Sequence, residues 1–573
     1  MNLTVDQAIE LLEKSEYVAI DTEATGLNVR DGRDYCIGIS IAGSYAGILV
    51  YDYFPLRHAS GDNICDRDRH RLAEALESYQ GHLIFHNAKF DLVSLKTAGI
   101  NYTGKFYDTM IMCHLINENR PFEKGLTACA KEYLGSEESK KDSGAFEYAV
   151  KAFGWDMPVE VMTEYAAWDA ALTFRLYEAI KDLFIREVNP KYWEHKQDFM
   201  RTIIYMERNG IGVDIDKCNH MIAVGETIME EIKEELGDLN PGSTKDLYTL
   251  LIEELKLPVV KKTKNGNPSF DKHAMEEYEI MLETQDKVEA ELILAYRGWQ
   301  KTISSNYKAY LELLSPDGLV RPNYKLHGTK TGRLSCSKPN LQQIPKSSEK
   351  EWNGDLKSAF IPTRPGYKLY EADYSQLELR LAAAYAKEQK LLTVFEEGRD
   401  IFTEMSKTLG MTRFDTKSLT YTIQYGGGVN RLVQVFGVTP QRAGEIRENF
   451  YKTYPGLRQV SNLAKNKCLT EGKVKYWTGR YRHFYNKYEE SHKAFNSIMQ
   501  GGAADIVEHA MVRFHKQIAD DNCRMLLQVH DSVIFEIKEG EEDNYFPRIR
   551  KVMTEFEPDF GVKFAVDIHE LGE

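Results

Sequence analysis

The chain has no Cys-x-x-Cys pair. Its eight cysteines are scattered at Cys36, Cys65, Cys113, Cys129, Cys218, Cys336, Cys468 and Cys523. That scatter excludes a zinc knuckle or a disulfide framework and reads as reduced thiols in a cytoplasmic protein. No apolar run approaches bilayer length, and the start, MNLTVDQAIE, lacks the apolar core of a secretion signal. No membrane partner is expected. Positive charge is in deficit, with 73 basic residues against 87 acidic and a formal net charge of −14. This argues mildly against a nucleic-acid binder, although a large acidic protein can still carry a local basic cleft. At 573 residues the chain is too long for one core, so two large domains with subdomains are expected.

What is there begins with carboxylates. In YVAIDTEATGL, Asp21 and Glu23 follow a strand-like run at spacing two, which puts both on one face of an extended chain. Two such groups repel unless a cation sits between them, and hard ions such as magnesium or manganese suit oxygen donors. A solvated strand end explains the pair equally well. HLIFHNAKFDL repeats an apolar strand with a polar exit at Asn87 and Asp91. YAAWDAALTFRLY reads as a helix with Tyr165 and Asp169 four apart on one side.

In the middle, Phe199, Ile203 and Met206 share one helical face before Gly210, and Ser243 with Asp246 starts another helix. The turn-rich loop VVKKTKNGNPSFD carries Lys261, Lys262 and Lys264. They can touch a phosphate backbone, but a solvated lysine cluster is the commoner case. HGTKTGRLSCSKPNLQQIP has no acidic residue and reads as a nucleic-acid-contacting segment rather than a plain surface loop.

In YKLYEADYSQLELRLAAAYAKE a strand ends at Asp373, and a helix follows with Leu377, Leu381 and Ala384 inward. QVHDSVIFE puts Asp531 in a short polar break between β-rich runs, the pattern of a hairpin. Two turn aspartates account for these positions as well as a metal pair does. RFDTKSLTYTIQYGGG aligns Arg413, Lys417 and Tyr421 on one helical stripe, ended by Gly426, Gly427 and Gly428. Two cations and a phenol suit the phosphates and the sugar or base of a nucleoside triphosphate. Within that helix only Asp415 offers an acidic partner.

The ordered motifs Asp-x-Glu, Asn-x-x-x-Asp and Tyr-x-x-x-Asp resemble those of the DEDD exonucleases, Tyr-containing subclass, over about the first 185 residues. DYSQLELR resembles motif A of the family A DNA polymerases. The helix from Arg413 to Tyr425 and Gly426 resembles motif B, and VHDS stands where the family has motif C. TGRLSCSKPNLQQIP, AFNSIMQGGAADI and VKYWTGRYR are similar to further family segments, so the likeness covers essentially the whole chain.

The resemblance implies an α/β multidomain fold: an RNase H-like exonuclease domain over 1–187 and a right-hand polymerase domain over 188–573. The thumb would lie at about 190–330, the palm at about 331–388 and 475–573, and the fingers at about 389–474. It implies template-directed DNA synthesis with 3′–5′ proofreading, using two magnesium or manganese ions per active site. Asp21, Glu23, Asp91 and Asp169 would hold one metal set, with Tyr165 orienting the attacking water. Asp373, the carbonyl of Tyr374 and Asp531 would hold the other. Lys417 would protonate the pyrophosphate, and Arg413, Lys417, Tyr421, Tyr425, Glu378 and Gln376 would bind the dNTP. Arg333, Asn340, Gln343, Asn496, Gln500, His530 and, in the thumb, Lys261, Lys262 and Lys264 would contact primer-template DNA.

Three positions depart from the family pattern. Ser532 stands where most members have Glu, His492 where Arg is common, and Phe402 where a His lies near the triphosphate. Catalysis is expected to persist, with an altered metal preference. A single-subunit RNA polymerase is opposed by Glu378, the family's steric gate against a 2′-OH, closing on Tyr425. A nucleic-acid-binding protein with dead sites is opposed by six intact metal carboxylates. No 5′-nuclease domain precedes the exonuclease motifs, an arrangement like phage and other replicative enzymes. Between Asp214 and Tyr324 there is no room for a thioredoxin-type processivity insertion, so that partner is not expected; other replisome proteins remain open.

Overall fold

The computed structural model describes residues 3–572 apart from 60, 122, 137–147, 149, 153, 155, 156, 264, 284–287, 345–355, 557 and 558. The N-terminal unit is built on a sheet of β1 (Tyr17–Ala24), β2 (Cys36–Tyr45), β3 (Ile48–Pro55), β4 (His82–Phe85) and β5 (Lys105–Asp108), in the order β3-β2-β1-β4-β5. β1 runs antiparallel to β2 and parallel to β4, and β4 is parallel to β5. The parallel strands read as continuous apolar runs because helices cover both faces. Tyr17 packs against Tyr177 of the long helix Val159–Glu187, with ring centroids 5.3 Å apart. Thr22, on the opposite face of β1, bonds to Asp91 of the helix Ala88–Thr97.

The polar exit after β4 is therefore helical. Asn87 takes a left-handed backbone (φ 78°) as the N-cap, and Asp91 sits one turn in. Asp108 ties this start down. It is 1% exposed, and its carboxylate accepts the N–H groups of Asn87, Ala88, Met110 and Ile111 at 2.9–3.3 Å. One side chain thus satisfies the starts of two helices.

Small sheets stitch the middle: β6 (Ile211–Val213), β7 (Leu319–Val320), the β8 (Asn323–Lys325)–β9 (Ser335–Ser337) pair, and β10 (Phe360–Ile361), which joins β6. Gly210 stops the helix Pro190–Asn209 with a positive φ, as its position predicts, and Ser243 caps the helix Thr244–Tyr248. Leu247, Leu251, Phe270, Met275 and Tyr278 form a second, separate core in this region.

The C-terminal sheet holds β11 (Tyr367–Tyr374) and, beyond the β12 (Lys473–Lys475)–β13 (Tyr481–His483) pair, β14 (Cys523–Val529), β15 (Ser532–Lys538) and β16 (Val566–Glu570). Its order is β14-β15-β11-β16, antiparallel throughout. The helix Ala494–Gln517 lies against it with Ala503, Ile506, Ala510 and Phe514 buried. At Gly501 a Cβ would come 2.2 Å from the Tyr476 ring, so only glycine permits that approach.

Buried ion pairs join the units. Lys196 Nζ bonds Glu508 at 2.7 and 2.8 Å, linking Pro190–Asn209 to Ala494–Gln517, and Arg480 Nε bonds Asp505 at 2.9 Å. All eight cysteines are free. Among the described residues no helix is long and apolar enough to cross a membrane.

Asp108→Ala leaves four N–H groups of a closed interior without an acceptor. Urea unfolding of the full chain should show a loss of about 2–4 kcal/mol, with Asp108→Asn recovering part of it. A loss near zero would mean that water reaches those groups.

Candidate functional site

Two groups of carboxylates lie on two sheets. In the first, the pleat of β1 turns Asp21 and Glu23 toward the side covered by Val159–Glu187, the helix that carries Tyr165 and Asp169 one turn apart. Glu23 is buried, whereas Asp21, Tyr165 and Asp169 are half-buried. Asp91 arrives from the other side, 3% exposed, and accepts the N–H of Thr22 at 3.0 Å and its hydroxyl at 2.8 Å. Burial pushes its carboxyl up to about 7. Such a group is readily ionised by a nearby cation.

The second group sits at the end of the C-terminal sheet. Asp373 is directly opposite Ser532 in the β11–β15 register. His530 and Asp531 are the two loop residues between Val529 and Ser532, with His530 at φ 56°. The expected hairpin therefore exists, and it brings Asp531 beside Asp373: the N–H of Tyr374 donates to the Asp531 carbonyl at 3.4 Å. The Tyr374 side chain is committed elsewhere, its hydroxyl donating to the carbonyl of Met553.

Around these residues opens a wide cleft, lined also by Arg333, Gln376, Glu378, Tyr421 and Tyr425. Glu378 is 6% exposed. Its carboxylate accepts from Arg333 Nη2 at 2.6 Å and from Gln424 Nε2 at 3.0 Å. Burial nevertheless pushes it up to about 7, with Arg333 opposing and Asp531 adding to the rise. Arg333 Nη2 also stands 3.5 Å from Asp531 Oδ1, so one guanidinium bridges the two acids. Arg333 Nε and Asn496 Oδ1 are buried with no hydrogen-bond partner among the described residues, donor and acceptor capacity left for something else.

The helix Arg413–Gln424 forms the opposite wall. Tyr421 stacks on Tyr425 at 6.0 Å between centroids and lies 5.8 Å from Phe402. Lys417 is exposed, with no ion pair among the described residues. Arg413 does find an acidic partner, from outside its helix: Nε and Nη2 bond Asp400 at 3.0 and 2.8 Å.

The remaining expected contacts are spread more widely. Asn340 and Gln343 are exposed around a short 3-10 turn, and Asn496 and Gln500 lie one turn apart on Ala494–Gln517. Lys261 is paired with Asp271 at 2.6 Å and Lys262 is exposed, both in the region of the separate core. Lys264 falls outside the described residues.

All donors in both groups are oxygens, which suits hard divalent cations. No three His, Cys, Asp or Glu side chains among the described residues converge into a ready-made metal cage. The donor chemistry fits such ions, while a closed coordination shell is not preformed.

A family model described as DNA polymerase family A matches residues 218–572, more than half of the chain. The chain belongs to DNA polymerase family A. A second model, described as 3′-5′ exonuclease, matches residues 2–184. The DNA polymerase I of Borreliella burgdorferi is 29% identical over 96% of this chain and 62% of its own length. That of Rhizobium leguminosarum is 30% identical over 96% of this chain and 58% of its own length. The chain thus spans about three-fifths of the length of these relatives. A solved structure titled "POL domain of Pol1 from M. smegmatis complex with DNA primer-template and dNTP" superposes with a TM-score of 0.84 at 23% identity, covering 99% of this chain and 98% of that one.

Within this family A chain, Ser532 does not leave the cleft short of a carboxylate. Its hydroxyl donates to Glu371 at 2.7 Å, and Glu371 also receives Lys357 Nζ. Phe402, 2% exposed, packs in the core beneath Arg413. Glu371, Lys357 and Gln424 were not singled out from sequence. The i, i+2 spacing of Glu371 and Asp373 in YEADY was a usable signal for the first. Lys357 and Gln424 left none.

Arg333→Met strands Glu378 in a buried position with one donor. We expect a loss of about 1–3 kcal/mol in chemical denaturation. Adding Glu378→Gln should recover much of it. Additive losses would show that the two side chains are not coupled.

Proposed function

We propose that the chain extends a DNA primer on a template and removes nucleotides from its 3′ end at a second, independent site. The observation that carries this reading is the adjacency of Asp373 and Asp531 across one strand register, facing Glu378, Tyr421 and Tyr425 across an open cleft. Membership of the family and the exonuclease match at residues 2–184 support it. The mycobacterial domain is described with primer-template and dNTP, and we carry that substrate class to this chain.

Asp373, Asp531 and the Tyr374 carbonyl would hold divalent cations, magnesium or manganese, at the synthetic centre. Asp21, Glu23, Asp91 and Asp169 would do so at the editing centre. When bound, such ions would act as Lewis acids on phosphoryl oxygens and so make phosphorus more electrophilic. The chain's own residues do the rest. Lys417 and Arg413 present positive charge to the triphosphate, with Arg413 exchanging Asp400 for phosphate oxygens. Lys417, on that stripe, would give a proton to the leaving pyrophosphate. Tyr421 and Tyr425 offer ring faces to sugar and base. Arg333 offers an unspent N–H donor to the duplex, where minor-groove acceptors are common to all correct pairs, and Asn496 would contact the duplex through its side-chain amide. Glu378, held rigid by Arg333 and Gln424, closes the space a 2′-OH would need. Tyr165 orients the hydrolytic water beside Asp169.

Primer extension and single-strand degradation test the assignment together. Asp373→Asn should lower extension by about a thousandfold or more and leave degradation intact, and Asp21→Ala with Glu23→Ala should do the reverse. Loss of both activities from either change would mean that the sites are not independent. Glu378→Ala should raise ribonucleotide use by about one to two orders of magnitude. A wild-type protein that already accepts ribonucleotides equally would overturn the DNA assignment.

Tyr421 adds a finer prediction. Its hydroxyl is suited to replace the polar contact that a dideoxynucleotide lacks. In an exonuclease-deficient background Tyr421→Phe should reduce dideoxy termination by about one to two orders of magnitude. Equal termination would mean that the ring only stacks.

A further inference from the structure

The wall of the cleft contains one charged group that the proposed chemistry does not use. Glu371 precedes Asp373 by two residues on β11, so both side chains leave the same face of the sheet. The side chain is only 8% exposed, yet it lines the cleft with Asp373, Asp531 and Ser532. Burying a carboxylate is costly unless it is well paired, and three elements supply its partners. Ser532 of β15 lies diagonally across the register and donates its hydroxyl to Oε1 at 2.7 Å. The same hydroxyl lies 3.0 Å from the Val529 carbonyl, and its one proton favours the shorter, charged contact. Lys357 Nζ bonds Oε2, and His569 Nε2, directly opposite on β16, is 3.4 Å from the same oxygen. A packing role at this position needs no charge. Lys357 lines the same cleft and offsets part of this charge, so what the charged form adds beside Asp373 and Asp531 is the part of its negative field that Lys357 leaves, oriented by the residue next to Asp531.

We propose that Glu371 is a positioning residue of the polymerase centre. Held by Ser532 and Lys357, it supplies from β11 a third carboxylate that strengthens divalent-cation binding by Asp373 and Asp531 without itself meeting the nucleotide. The inference rests on the proposed polymerase reading for its place in catalysis. The position of the carboxylate, on β11 or β15, matters less than its presence between the two strands. The charge should therefore survive relocation from residue 371 to residue 532.

The test uses the full chain carrying Asp21→Ala and Glu23→Ala, so that the cleft alone is read. Manganese binding is measured by titration calorimetry without DNA, and primer extension is measured against manganese and against dNTP. Glu371→Gln, nearly isosteric, should weaken manganese binding by about tenfold and raise the manganese needed for half-maximal extension to match, with the dNTP KM unchanged. Glu371→Ser should do the same. Glu371→Ser with Ser532→Glu should return manganese affinity to within about threefold of the parent. Unchanged affinity in Glu371→Gln, or a double variant no better than Glu371→Ser, overturns the proposal. So does a fall in melting temperature with manganese affinity intact, because that is the mark of a purely structural residue. If no protein extends a primer, the polymerase reading fails by itself, and the calorimetry still decides the place of Glu371.

Discussion

The register of one strand underlies both the C-terminal sheet and its cleft. β11 is paired on both edges, with Asp373 opposite Ser532 on one side and Asp567 on the other. Because side chains alternate along a strand, a slip of one residue would turn Asp373 and Glu371 to the wrong face and bring Ala372 and Tyr374 into the cleft. The register is pinned from the apolar side by Ala372, Val533, Phe535 and Phe514, all nearly inaccessible. The two-residue loop between β14 and β15 then has a single place to put Asp531. Core packing, rather than any attraction between acids, sets Asp531 beside Asp373, and a cation held there, as proposed, would relieve the repulsion between them.

Around that pair the charges form a chain in which each group serves two neighbours. Arg333 answers both Glu378 and Asp531. Glu378 is held from the other side by Gln424, the last residue of the helix that carries Arg413, Lys417 and Tyr421. Movement of that helix is thereby coupled to the carboxylate proposed to screen the sugar. Arg413 in turn is paired with Asp400, which also caps the helix Ile401–Leu409. The cleft wall is thus partly held by contacts that a triphosphate would compete for, whereas Lys196–Glu508 and Arg480–Asp505, fully buried, keep the frame behind it rigid. Breaking one partner of such a pair leaves an uncompensated charge, which is why these links act as constraints on geometry more than as sources of stability.

Much was legible in the order of residues because it depends on local periodicity. The spacing of Asp21 and Glu23, the Tyr165–Asp169 step, the Arg413–Lys417–Tyr421 stripe, the stop at Gly210 and the cap at Ser243 follow from two numbers, 2.0 and 3.6 residues per repeat. The polar break at Asp531 was readable as a hairpin for the same reason. The placement of Asp91 was less so: an apolar run followed by Asn-Ala-Lys-Phe-Asp reads as a strand exit, and only the grip of Asp108 on the Asn87 and Ala88 N–H groups makes it the first turn of a helix.

By itself the sequence determined which residue types stand at which spacing, hence the strands, the helix faces, and membership of a family whose motifs lie in order along the chain. Only the tertiary structure decided which of those residues meet. Arg413 found Asp400, Glu378 found Gln424 and Arg333, and Ser532 found Glu371 across distances along the chain that no periodicity encodes. The physical reason is that a hydrogen bond depends on position in space. Position is set by the packing of sheets and helices against a shared core, which is a property of the whole chain and not of any window in it.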